Sequence, residues 1–94
     1  MTQNTFLAAA LQFGVSMDVA RNLATLERLL KPLATDTLAV APERALSGYI
    51  PEPGFVARID VSATTEAFAA LGALCHRKKL HVIAGACHKD EDGA

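Results

Sequence analysis

Three short apolar runs, each separated from the next by a segment with helical periodicity, constrain this chain more than anything else in it. The runs are "TFLAAALQF" (5–13), "TLAVA" (37–41) and "LHVIAGAC" (80–87). Periodicity alone does not separate strand from helix in the first run, but the brevity of all three and the turn residues that bound them favour strands. The first is the least clear, because its alanines carry little strand preference. Between the first two lies "DVARNLATLERLLKPL", in which Leu23, Leu26, Leu30 and Leu33 recur at spacings of three, four and three. That is one helical stripe. Ser16 or Asp18 can cap its start, and Pro32 ends the regular helix. A second helix is expected over "TTEAFAALGALCHRKK", with Thr64 or Thr65 as cap and Glu66 in the first turn. Its apolar stripe would be Phe68, Leu71, Leu74 and Cys75, and Arg77, Lys78 and Lys79 would face the negative end of its dipole. Runs of this kind, buried on both faces and alternating with amphipathic helices, predict βαβ crossovers and a largely parallel α/β sheet.

The segment from Glu43 to about Val61 contains Gly48, Pro51, Pro53 and Gly54 and is expected to be a long connection. The terminal "HKDEDGA" carries turn residues with nothing after them to turn into, and three strands with two helices leave sheet edges unpaired. Residues 1–94 are therefore expected to be an incomplete portion of a single domain that continues past Ala94.

Composition excludes several functions. Nine basic and ten acidic residues, interspersed and summing to a net charge of −1, give no electrostatic reason for a nucleic-acid or anionic-membrane partner. No run reaches the roughly 18 apolar residues of a transmembrane helix. The N-terminus lacks the basic segment of a signal peptide, so a cytoplasmic location is expected. The two cysteines do not make a disulfide framework.

Individual residues offer few sites. Cys75–His76 and Cys87–His88 match no common zinc spacing, and neighbouring helical residues point about 100° apart. No metal site is expected. Gly14 stands alone after the first run, without a glycine-rich phosphate loop, and no acid ends the first or third strand. Neither a dinucleotide site nor a phospho-receiver site follows, and no cofactor is expected. Cys75, on an apolar helix stripe, is best explained as a small core residue. Glu43 is different, because ligands of open α/β sheets bind just beyond the carboxyl ends of the strands. A carboxylate there, held partly away from water, suits general-base work. An ordinary loop glutamate paired with Arg44 would also satisfy the pattern. Tyr49 could line a pocket beside Glu43 or simply pack in its turn.

Taken in order, "ALQFGVSMDVARNLATLERLL", "LAVAPERALSGYIPE" and "LHVIAGACHKDEDG" resemble the N-terminal part of the nitrilase, or carbon–nitrogen hydrolase, superfamily. The shared features are a strand ending in Gln12, then Asp18 and Asn22-Leu23 on the first helix. Pro42-Glu43 closes the second strand, Gly48-Tyr49 forms the turn after it, and Val82 to Gly85 lies on the third. The resemblance implies an αββα sandwich and cleavage of non-peptide C–N bonds in amides, nitriles or N-carbamoyl compounds. It implies a Glu-Lys-Cys mechanism with Glu43 as general base, Tyr49 as a substrate-pocket residue and a homo-oligomeric full-length protein. The family's Lys and Cys fall beyond Ala94, so the chain by itself is expected to be inactive. A non-catalytic remnant, or an α/β subunit that binds a partner through its open sheet, is the alternative.

Overall fold

The computed structural model describes residues 6–87 as a three-stranded parallel sheet with two helices. The closing "HKDEDGA", including His88, lies outside the described residues. The elements run β1 (Ala8–Ala10), α1 (Val19–Leu30), β2 (Leu38–Val40), a 3-10 turn (Phe55–Arg58), α2 (Val61–Lys78) and β3 (His81–Ile83). The strand order is β1-β2-β3, with Ala9, Ala39 and Val82 in register across the sheet. Among the described residues no helix is long and apolar enough to cross a membrane.

The strands are shorter than the apolar runs that contain them, and the middle strand sets the limit. Pro42 has no N–H to give, so the last bond along β2 is Ala41 N–H to the Ile83 carbonyl at 2.9 Å. Neighbouring strands gain nothing by extending where β2 offers no partner.

The helices differ from expectation at two ends. Asp18 caps α1, its carboxylate accepting the Arg21 N–H at 3.1 Å. The helix stops at Leu30, just before Pro32, and leaves Leu33 outside it. α2 begins three residues before the expected cap, at Val61, because Asp60 accepts the Ala63 N–H at 2.9 Å. Thr64 and Thr65 are not caps. Their hydroxyls donate to the carbonyls of Asp60 and Val61 one turn back, as interior helical threonines do. Lys79 ends the helix in the left-handed conformation, its N–H returning to the Cys75 carbonyl.

The expectation that every strand is buried on both faces is not met. α1 and α2 pack against each other and so share one side of the sheet. Both crossovers step in the same direction across the strand order, and a right-handed connection taken twice in one direction returns to the same face. Beneath the helices Ala39 joins Leu26, Leu30, Leu71, Leu74 and Ala67 in the core. The small alanine lets both helices approach the sheet closely. The buried stripe of α2 is Thr64, Ala67, Leu71 and Leu74, whereas Phe68 sits to one side and is 46% exposed. On the opposite face Ala10, Val40 and Ile83 form an exposed row in register.

Candidate functional site at the carboxyl rim

Three loops meet beyond the carboxyl ends of the strands, and each is held there by a specific polar link. After β1, Ser16 is gripped by Asn22 from the first turn of α1. Asn22 Oδ1 accepts the Ser16 N–H at 3.0 Å and its hydroxyl at 3.2 Å, while Nδ2 donates to the Ser16 carbonyl at 2.8 Å. Asn22 is fully buried, so these bonds replace the water it has lost. Replacing Asn22 with Ala strands two backbone groups of Ser16, and the expected loss is about 2–3 kcal/mol in a denaturant titration. A loss below about 0.5 kcal/mol would show that water takes over the job.

After β2 the chain turns tightly. Ala45 N–H bonds the Pro42 carbonyl at 3.2 Å, and Gly48 N–H bonds the Arg44 carbonyl at 2.9 Å. Gly48, at φ +90°, faces Ser16 and Met17 of the first loop so closely that there is no room for a β-carbon. After β3, the Gly85 carbonyl accepts Leu46 N–H at 3.2 Å, and Cys87 N–H donates to the buried Ser47 hydroxyl at 2.7 Å. Ser47→Ala removes that last link, with an expected cost of about 1 kcal/mol in the same titration.

Glu43 emerges from this rim directly after the middle strand. Its backbone is bracketed by the turn bonds, but its side chain is 83% exposed, with Arg44 Nη2 at 3.7 Å from Oε1. The partial seclusion expected of a base is not supplied by the described residues. Arg44 takes up a left-handed backbone, φ +58°. Its guanidinium lies 4.7 Å from the Tyr49 ring centre and 5.8 Å from that of Phe55. The two rings meet edge to face at 5.2 Å. Tyr49 is thus engaged by Arg44 and Phe55 while still partly exposed.

The remaining candidates fall elsewhere. Because α2 runs against the strands, its C-terminal turn lies at their amino ends, opposite Glu43. Cys75, whose thiol is pushed up by burial, sits there, as do Lys78 and Lys79. Lys78 Nζ binds the Lys31 carbonyl at the end of α1, at 2.6 Å. These groups close helix ends and do not join Glu43. Cys87 is at the Glu43 end of the sheet and lines a cleft of about 380 Å³ with Ile59, Val61, Phe68 and Ala84. Glu43 does not line that cleft. Asn22 and Ser47 are the rim residues to which sequence reasoning gave no such role; for Arg44 it offered the pairing with Glu43, and the seat on Tyr49 and Phe55 is the addition. Asn22 had a signal, a polar residue at stripe spacing from Leu26, whereas the role of Ser47 depends on a partner forty residues away.

No protein-family model, curated protein or solved structure matches this chain.

Proposed function

We propose that this chain is the N-terminal portion of a nitrilase-like carbon–nitrogen hydrolase, one half of an αββα sandwich, with Glu43 as its general base. One observation carries the reading: Glu43 follows the proline that ends the middle strand of a parallel sheet, on a rim where all three loops are tied together. The ordered resemblance supports it, and so does the bare apolar row Ala10, Val40 and Ile83, the kind of face a second sheet covers.

In this mechanism Glu43 takes the proton of a cysteine thiol, and the thiolate attacks the amide, nitrile or carbamoyl carbon. A lysine stabilises the anion of the tetrahedral intermediate. From an amide or carbamoyl group the nitrogen leaves with the proton that Glu43 took from the thiol; a nitrile first forms a thioimidate, to which water adds before ammonia departs. Glu43 then activates the water that hydrolyses the acyl-cysteine bond and releases the thiol. The lysine and cysteine belong to sequence beyond Ala94, which also supplies the seclusion Glu43 lacks here and the homo-oligomer interface. Tyr49 stands at the same rim, beside the substrate.

The test is ammonia release by the full-length natural protein from a panel of amides, nitriles and N-carbamoyl compounds. Turnover of at least one class is expected, while residues 1–94 made alone should release none. Silence across the panel contradicts the proposal. The bare sheet face also favours a second reading, a non-catalytic subunit that covers this face with a partner. That reading predicts a second chain co-purifying with an inactive protein.

A further inference from the structure

We infer that Arg44 is a positioning residue for Glu43, and that Tyr49 and Phe55 act on Glu43 through it. This rests on the hydrolase reading for its kinetic consequences, though not for its geometry. The backbone of Glu43 is fixed from both sides, by Ala41 N–H on the Ile83 carbonyl and by Ala45 N–H on the Pro42 carbonyl. Its side chain is another matter. It stands largely in water, and the Arg44 guanidinium is its one ion-pair partner among the described residues.

Arg44 is restrained at each level. Its carbonyl accepts both Ser47 N–H and Gly48 N–H, at 3.3 and 2.9 Å, which holds it in the left-handed region. A non-glycine residue there is strained, and such strain persists only where surroundings enforce it. The guanidinium sits in the corner of two rings that are themselves set edge to face. Stacking leaves the in-plane N–H groups of an arginine free, and a planar fork held this way loses less freedom on pairing than a lysine does. An exposed ion pair adds little to stability. Its effect here is to narrow the rotamers of Glu43, and misplacement by about 1 Å can cost a catalyst as much as 10²-fold.

The relay gives Tyr49 a role for its ring face, which does not require the hydroxyl. Two measurements on the full-length natural protein test this. The first is the side-chain coupling constants of Glu43 by NMR. One dominant rotamer is expected in the native protein and averaging in Arg44→Leu, whereas identical averaging in both overturns the inference whatever the activity. The second is kinetic. Arg44→Leu should lower kcat about tenfold with KM little changed, and Arg44→Lys should recover only part of the loss. Tyr49→Leu should lower kcat, and the Arg44→Leu, Tyr49→Leu double variant should cost no more than Arg44→Leu alone. An unchanged kcat in Arg44→Leu, or additive losses, overturns it. Glu43→Gln in the same assays separates the two claims. If it abolishes turnover while Arg44→Leu does not slow it, the relay fails and the hydrolase reading stands. If Glu43→Gln turns over normally, the hydrolase reading fails, and the NMR couplings alone decide the relay.

Discussion

Glu43→Gln in the full-length protein is expected to lower kcat by about 10³-fold, the scale of a lost general base. The amide is nearly isosteric with the carboxylate but cannot take a proton from a thiol or from water. Stability should change by less than about 0.5 kcal/mol, as at other exposed positions, because the side chain is 83% exposed and makes only a 3.7 Å contact with Arg44. That separation of effects is informative: a collapse in rate without a change in unfolding midpoint assigns Glu43 to chemistry. A loss of only a few-fold would leave it as the solvated partner of Arg44.

The second large effect is on folding, at Gly48. A β-carbon placed there would stand 2.5 Å from the Ser16 carbonyl oxygen and 2.8 Å from the Met17 α-carbon, at a φ of +90° that side chains rarely adopt. Both obstacles are backbone, so neither can rotate out of the way. Overpacking and backbone strain each cost about 1–3 kcal/mol, and Gly48→Ala is expected to lose about 3–4 kcal/mol on that basis. In the larger full-length domain, at about 2–4 °C per kcal/mol, that lowers Tm by roughly 6–16 °C. A thermal melt checks it. A shift under about 2 °C, corresponding to less than about 1 kcal/mol, would mean that the first and second rim loops do not meet as described. The same contact links fold to site, since it joins the loop after β1 to the turn that carries Glu43.

Much of the architecture was legible because it depends on local pattern. The leucine spacing marks α1, Pro32 and Pro42 mark two endings, and the alternation of short apolar runs with helices gives a parallel sheet. The errors have physical causes. Alanine-rich runs carry no face signal, since Ala8 to Ala10 fit a covered or an open surface equally well. The one-sidedness came from the handedness of two successive crossovers, which no single segment contains. Thr64, Thr65 and Glu66 imitate a helix start, yet Asp60 comes earlier and its carboxylate is the stronger acceptor. At the site, Pro42-Glu43 was visible as a strand end. The left-handed turn at Arg44 and its seat on Tyr49 and Phe55 have no signature in spacing. The grip of Asn22 on Ser16 and of Ser47 on Cys87 depends on loops that only the folded sheet brings together.

The central claim, that Glu43 is one part of a three-residue catalyst whose other parts follow in the same chain, is tested most directly by the intact mass of the natural gene product from its own cells. The 94 residues weigh 9.9 kDa. A mass several times larger is the predicted result, leaving room for a lysine and a cysteine beyond Ala94. A mass of 9.9 kDa would contradict the catalytic role of Glu43 in this chain.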